Sequence, residues 1–386
     1  MKIGVIGLGY VGLPLAIEAC KAGYDVVGVD VDEYRISEIL RTKEPYPNLT
    51  ISSSYAELSY CQIIVISVPT PINSRGEIDL SDLESVCVSV ADVISKDTLV
   101  INESTSFIGC LRNLIRPIVS KFESQICFAV SPERIDPGNL IWNIQNTPRV
   151  LGALDNIALI RAKSFYESFC SQVILASSAE AAEASKLLEN SYRLLNIAFM
   201  QEFEQEMRAA GYDFAQEITE LASTKPYGFS KFTPGVGVGG HCIPVDPIYL
   251  LKSSVSSESF SMLRNAISIN RKRPIQIAKD IEERINLAGV NQPSIHILGL
   301  AYKPNIADTR ESAAIEVYNT LLSAFEKVTF HDPFLERVGN TNRAELFVDA
   351  DFLILLVKHQ EYVELDWSGL RGKFLDYSGF IPTVEK

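Results

Sequence analysis

The sequence predicts an α/β protein: two doubly wound Rossmann-like domains joined by a helical central segment with a long helix. Three observations predict it. Short β-branched runs alternate with longer amphipathic stretches near both ends of the chain, a glycine-rich turn directly follows the first of those runs, and an unbroken helical pattern occupies the middle. At 386 residues the chain exceeds one ordinary domain of roughly 100 to 200 residues, so each part is large enough to bury its own core. The parts are expected at 1–180, 181–288 and 289–386.

Taken in order, residues 2–6, 25–29, 63–67, 99–102 and 128–130 read as strands, with stretches between them long enough for crossover helices and hence parallel pairing. From 178 to 205 no helix breaker occurs, and Leu187, Leu194, Ile197, Ala198 and Phe203 recur at helical spacing. A loop rich in Gly and Pro covers 225–247, and a second helical stretch runs from 260 to 288. Strand-like runs return at 294–299, 327–331 and 352–357, with helices between them.

Charge and cysteine usage exclude several classes. With 35 Lys plus Arg against 48 Asp plus Glu, the formal net charge of -13 repels nucleic acid and anionic membranes, so neither is expected as a partner. The seven cysteines are scattered, without a CxxC pair or a Cys/His metal spacing, so no disulfide framework and no metal site are expected, and a reducing, cytoplasmic setting fits. The apolar N-terminal run is interrupted by Gly4, Gly7, Gly9, Gly12 and Pro14, which suits a strand, turn and helix and not a signal peptide. No segment reaches the roughly 20 apolar residues of a membrane span.

Gly7-Leu8-Gly9-Tyr10-Val11-Gly12 follows the strand at 2–6 and opens a helix, so its backbone can approach a pyrophosphate at a helix N-terminus. Asp30, after the second strand, stands where an acid accepts hydrogen bonds from both hydroxyls of an adenosine ribose and repels a 2′-phosphate. NAD is therefore the expected cofactor. Arg35 lies a few residues on, either stacking near the adenine or snorkelling from its helix.

A second dense segment runs from Pro234 through Gly235, Gly237, Gly239, Gly240, His241, Cys242, Pro244 and Asp246 to Pro247. So many glycines cost backbone entropy and suggest close approach to a ligand. A lone cysteine is ordinarily a small buried hydrophobe. Cys242 differs in having an aspartate and a flexible polar loop around it, the surroundings a nucleophilic thiolate needs.

Several blocks occur together in a fixed order: GLGYVGLPLA from Gly7, SVPTP from Ser67, EST from Glu103, SPER from Ser131, KLLEN from Lys186, GGHCIPVDP from Gly239 and GLAYKPNIADTRES from Gly299. In these the chain resembles the UDP-glucose/GDP-mannose dehydrogenase family over nearly its whole length. The resemblance implies that Cys242 is the nucleophile, that Asp246 assists proton handling, that Glu133 is the acid/base of thioester hydrolysis, and that Lys186 and Asn190 hold the sugar oxygen and the attacking water. Thr105 would position that water or the nicotinamide. Cofactor contacts are implied for Tyr10, Val11, Pro69, Thr70, Ser104 and Arg310, and substrate contacts for Arg134, Gly235, Gly237, Gly239, Tyr302 and Lys303.

That similarity implies a four-electron oxidation of the C6 hydroxymethyl of a UDP-sugar through a thiohemiacetal and a thioester on cysteine, consuming two NAD. Lys186 would be the fixed cation beside the oxygen that develops charge, although Glu183 and Glu189 stand within helical reach of it as ordinary partners. Glu133 would need a pKa near neutrality, tuned by burial and by a neighbouring lysine. HCIPVDP and the stretch from Lys186 to Phe199 resemble the branch acting on UDP-N-acetylhexosamines, UDP-GlcNAc or UDP-ManNAc, with UDP-glucose as the alternative and a non-catalytic nucleotide-sugar or NAD binder behind both. The long middle helix resembles the family's dimer-forming element, so a homodimer is expected.

Three positions depart from the family pattern. Ile108-Gly109-Cys110 replaces the usual turn after EST, Lys225 and Lys231 stand where an arginine is common ahead of the cysteine loop, and Tyr377-Ser378 follows Asp376 where relatives often carry an arginine. Lysine offers phosphate a point charge and not a fork.

Overall fold

The structure, a computed structural model, describes residues 1–378 apart from 43–45, 74, 122–124, 136–138, 140, 213–214, 257, 336–349 and 366–372. Two units divide it, Met1–Glu189 with Ile248–Val255, and Asn190–Pro247 with Ser256–Lys386.

The first unit carries β1 (Lys2–Ile6), α1 (Gly12–Lys21), β2 (Asp25–Val29), α2 (Glu33–Thr42), β3 (Leu49–Ser52), β4 (Ile63–Ile66), α3 (Ser81–Val93), β5 (Leu99–Asn102), α4 (Arg116–Val119), β6 (Cys127–Val130), β7 (Arg149–Ala153), α5 (Asn156–Glu167) and β8 (Val173–Leu175). The sheet order is β3-β2-β1-β4-β5-β6-β7-β8. Its pairings are parallel except β6 with β7, where Val130 faces Gly152 in antiparallel register. Every residue of β4 and β5 is buried, which is why they read as continuous apolar runs and not as an alternation. The core gathers Ile3, Val5, Leu15, Ile63, Val65, Ile101, Phe165 and Tyr166 between sheet and helices. Leu15 has no exposed surface, and its truncation to alanine costs about 2–5 kcal/mol.

Register places this unit's ligand edge. Ile6 pairs with both Val29 and Ile66, so β1, β2 and β4 end level and the loops beginning at Gly7, Asp30 and Ser67 emerge along one carboxyl edge. In doubly wound sheets that edge is where ligands bind. The expected strand at 63–67 ends one residue early, at Ile66, where Ser67 begins the turn, while β3, β7 and β8 are strands the hydrophobic pattern did not reveal. These strands are three to five residues long and include exposed or half-exposed positions, which dilutes the signal.

The unit boundary falls within α6 (Ala179–Ala209), 31 residues long. Beyond it come α7 (Ala215–Ser223), α8 (Asp246–Lys252), α9 (Ser261–Leu287), β9 (Ser294–Leu298), α10 (Ala313–Ala324), β10 (Lys327–His331), β11 (Phe352–Leu355), α11 (Gln360–Val363) and β12 (Lys373–Asp376). The second sheet, β10-β9-β11-β12, is parallel throughout. Ile277, Ala278, Ile281 and Ile285 form the buried stripe of α9 and join Ile295, Ile297, Val317, Leu321 and Ile354 in the core. A parallel-rich sheet and a fully parallel one, with a long helix between them in the chain, are the predicted fold class.

Candidate active site

In the first unit the three fingerprint glycines have different reasons. Gly7 has φ +87, and a Cβ on it would stand 2.2 Å from the Ser67 carbonyl oxygen. A Cβ on Gly12 would stand 1.9 Å from the Gly7 carbonyl oxygen. A Cβ on Gly9 would meet nothing within 4 Å, so no intramolecular contact demands glycine there and the space in front of it is open. No side chain caps the start of α1, where Leu13 N–H goes to the Gly9 carbonyl at 3.3 Å and Pro14 carries no N–H. These features fit a dinucleotide's pyrophosphate.

Asp30 is half-buried and accepts from Leu8 N–H at 2.7 Å through Oδ2 and from Asp32 N–H at 2.9 Å through Oδ1. Arg35 Nε donates to the Leu8 carbonyl at 3.1 Å, bracing the turn. Tyr10 is 54% exposed, Val11 precedes α1, and Pro69 and Thr70 lie on the loop after β4, where the Thr70 carbonyl accepts from Tyr249 Oη at 3.1 Å. Ser104 Oγ accepts from Val68 N–H at 2.9 Å, tying the loop of Thr105 to that of Pro69.

Glu133 is placed behind β6 with nearly all of its carboxyl covered. Oε1 accepts from the N–H groups of Arg134 at 2.6 Å and Ile135 at 2.5 Å, and Oε2 accepts from Arg149 at 3.2 Å. Lys186 Nζ, on α6, donates to the Glu133 carbonyl. Burial pushes the carboxyl up, but Arg149, the two backbone N–H groups and Lys186 outweigh it and hold Glu133 below the ordinary carboxylate range. The expectation that Glu133 sits near neutrality is therefore corrected, because donors converge on its ionised form. Glu189 pairs with Arg134 at 2.6 Å, and Glu183 accepts from Gly109 N–H at 2.5 Å and Leu111 N–H at 2.9 Å. Burial pushes Glu183 up to about 7 despite those bonds. The unusual Ile108-Gly109-Cys110 turn is thus held by a carboxylate of α6, one helical turn ahead of Lys186.

The second unit holds the cysteine loop as far as Asp246 and Pro247, the first residues of α8. Cys242 is half-buried, and its carbonyl accepts from Val245 N–H at 3.1 Å and Asp246 N–H at 2.8 Å, so the thiol-bearing residue is the first corner of the turn that starts the helix. Asp246 is fully buried, with Oδ2 accepting from Asn190 Nδ2 at 2.5 Å. His241 is exposed.

Most of the glycines ahead of Cys242 are also required by packing. A Cβ on Gly237, at φ +132, would stand 2.9 Å from Ala313 Cβ; one on Gly239 would stand 2.4 Å from the Glu311 carbonyl oxygen; and one on Gly240 would stand 2.6 Å from Tyr302 Cε2. Only at Gly235, among the four, would a Cβ meet open space. Tyr302 thus packs flat on the loop, and Arg310 joins it through its carbonyl, which accepts from Gly240 N–H at 3.1 Å. The Arg310 guanidinium is forked onto Asp308, at 2.6 Å for the shorter bond. Lys303 is half-buried beside Tyr302. Lys231 pairs with Glu220, and Lys225 Nζ lies 4.8 Å from the Tyr227 ring centre.

Comparison with known proteins gives this geometry its family. The NAD-binding domain of the UDP-glucose/GDP-mannose dehydrogenase family matches residues 1–170, its central domain 180–272 and its UDP-binding domain 296–381. The chain belongs to that family. It is 33% identical to the UDP-N-acetyl-D-mannosamine dehydrogenase of Pyrococcus horikoshii, over 96% of this chain and 92% of the relative. It is 30% identical to the NDP-N-acetyl-D-galactosaminuronic acid dehydrogenase of Ralstonia nicotianae, over 96% and 94%. The solved structure of the UDP-D-ManNAc dehydrogenase from Pyrococcus horikoshii superposes with TM-score 0.90 at 31% identity, covering 99% of this chain and 96% of that one.

As a member of the family the chain is a nucleotide-sugar dehydrogenase with an NAD-binding domain and a UDP-binding domain. No described helix is long and apolar enough to cross a membrane. The sequence reading missed the residues that build the site from behind. Asn270 on α9 grips Val238 by both N–H, at 2.8 Å, and carbonyl, at 3.0 Å, and Arg273 Nε donates to the Gly235 carbonyl at 2.9 Å. Both are buried polar residues facing an apolar stripe, and that mismatch was the available signal.

Proposed function

We propose that the chain oxidises the C6 hydroxymethyl of a UDP-N-acetylhexosamine, UDP-GlcNAc or UDP-ManNAc, to the uronic acid. Residues 1–180 hold the cofactor, 181–288 carry the cysteine loop and the self-association surface, and 289–386 hold the nucleotide. The observation that carries the reading is the turn in which Asp246 N–H closes on the Cys242 carbonyl while its carboxylate takes Asn190. A structural cysteine has no need of a buried carboxylate and amide in its own turn. Relatives named for N-acetylated sugars support the choice of substrate branch.

Gly7, Gly9, Gly12 and Asp30 would hold NAD, which when bound accepts a hydride from each of two successive oxidation levels. Cys242 adds to the aldehyde carbon and retains the carbon skeleton through the thiohemiacetal and the thioester, so the reactive aldehyde is not lost. Lys186 balances charge on the sugar oxygen. Asn190 orients the attacking water, Thr105 helps place it, and Glu133 takes its proton. Arg134, Gly235, Tyr302 and Lys303 contact the substrate, and Arg310 the cofactor. Tyr192 and Phe199 stand 52% and 64% exposed on α6, the face we assign to a second copy in a cytoplasmic homodimer.

The test is a panel of UDP-GlcNAc, UDP-ManNAc, UDP-GalNAc and UDP-glucose, each with NAD and with NADP. The reading expects an N-acetylated sugar with NAD to exceed UDP-glucose in kcat/KM by at least about 10-fold. UDP-glucose as the best substrate would overturn the branch and leave the family intact.

A further inference from the structure

Behind Glu133 lies a second carboxyl to which the family resemblance gives no role. Glu103 follows β5 and its side chain is fully buried. Its Oε1 accepts from Tyr166 Oη at 2.5 Å and from Arg149 at 2.6 Å. Its Oε2 is buried with no hydrogen-bond partner among the described residues. Arg149, at the start of β7, sends its other terminal nitrogen to Glu133 Oε2 at 3.2 Å, and the Glu133 N–H donates to the Glu103 carbonyl at 3.4 Å. Two buried carboxyls therefore share one buried guanidinium.

The two carboxyls are unequally supplied with donors, so one of them binds a proton more readily than the other as pH falls. Glu133 faces two backbone N–H groups, Arg149 and Lys186, all of which favour its ionised form. Around Glu103 stand Arg149 from β7, Tyr166 from α5, Cys170 just beyond α5, and Glu133 itself. Burial pushes Glu103 up to about 7, with Arg149 opposing and Glu133 reinforcing it. Arg149, bonded to both carboxyls, is the group through which the two side chains are joined.

We propose that Glu103 is a proton-holding residue that acts through Glu133, the two carboxyls exchanging one proton across Arg149 during thioester hydrolysis. The proposal rests on the reading of Glu133 as the acid/base. The ionised Glu133 takes a proton from the attacking water and passes it to ionised Glu103, which restores Glu133 to its carboxylate. The return transfer releases the proton when the tetrahedral adduct collapses, so that the cysteine departs as a thiol and the product as the carboxylic acid. Glu103 touches neither substrate nor cofactor in this scheme and is a positioning residue.

Glu103→Gln keeps groups able to meet Arg149 and Tyr166 but cannot titrate. Its kcat should fall about 100-fold with KM for the sugar unchanged, the inflection near neutrality should vanish from the kcat profile, and intact mass should show acyl-enzyme accumulating. Tyr166→Phe removes a donor to the Glu103 carboxylate, so its kcat inflection should move to higher pH, and this milder variant carries the test if Glu103→Gln does not fold. Glu133→Gln separates the two readings. If Glu133→Gln accumulates acyl-enzyme while Glu103→Gln and Tyr166→Phe keep the wild-type pH profile, the role of Glu103 is overturned alone. If Glu133→Gln turns over like wild type, the reading of Glu133 itself fails.

Discussion

The two parallel sheets start in the same way and finish differently. In the first unit the turn after β1 begins at Gly7, whose N–H meets the Val29 carbonyl at 2.8 Å, and Leu8 N–H donates to Asp30, which follows β2, at 2.7 Å. In the second, the turn after β9 begins at Gly299, at φ +83, whose N–H meets the His331 carbonyl at 2.9 Å. There Leu300 and Ala301 N–H groups donate at 2.8 and 2.9 Å to Asp332, which follows β10. Asp30 stays half-buried beside open space. Asp332 has no exposed surface, and its remaining capacity is taken by Phe334 N–H at 2.9 Å and His359 Nε2 at 3.2 Å. The same brace is left open to a ligand in one sheet and closed off by protein in the other.

His359 completes the closed version. Its Nδ1 accepts from Asn305 N–H at 3.0 Å, which leaves the proton on Nε2 to face Asp332, so this histidine links the brace to the loop carrying Tyr302 and Lys303.

Mutations can break this contrast. The largest effect belongs to Asp332→Ala, which strands two buried amides and His359 and should cost about 3 kcal/mol in urea unfolding. A loss under about 1 kcal/mol would contradict its structural role. Gly12→Ala forces the β1–α1 turn apart, and about 2 kcal/mol of stability should go together with NAD binding by calorimetry. Asp30→Ala should leave the thermal midpoint within a few degrees but raise KM for NAD at least about 10-fold, the inverse of the Asp332 result. Gly9→Ala should be neutral in stability, to within about 0.5 kcal/mol, while weakening NAD, since its Cβ meets only the cofactor's space.

Smallest is a pH effect. Burial raises the Asp332 pKa, but bonds from His359 and the backbone prevail and hold it at about 2. A depressed carboxylate contributes stability above its unfolded pKa and loses it as pH falls through the folded one. Between pH 4 and 2, Asp332→Asn should therefore lose less stability than wild type, measured by denaturant midpoints.

The legible parts of the sequence were those with a single physical cause. Fully buried runs such as 63–66 announce strands, and the helical period of 277, 281 and 285 announces α9. Asp30 was readable because strand, glycine turn and acid fall at fixed spacing. Asp332 satisfies the same geometry, yet its turn begins with one glycine and without the GxGxxG spacing, so only the fold exposes it. Glycines mislead for the opposite reason: Gly9 and Gly12, like Gly235 and Gly240, are one letter, but packing against Gly7 and Tyr302 explains the second of each pair and open space the first. Glu103 sat inside a motif whose attention fell on Thr105, and its pairing with Arg149 spans 46 positions that no local pattern connects.

The central claim, oxidation through a covalent bond to Cys242, is tested most directly by counting NADH against uronic acid in wild type and Cys242→Ala. Two NADH per acid in wild type, with turnover to acid abolished in the variant, is the predicted result. One NADH per product, or acid formed undiminished by Cys242→Ala, would contradict it.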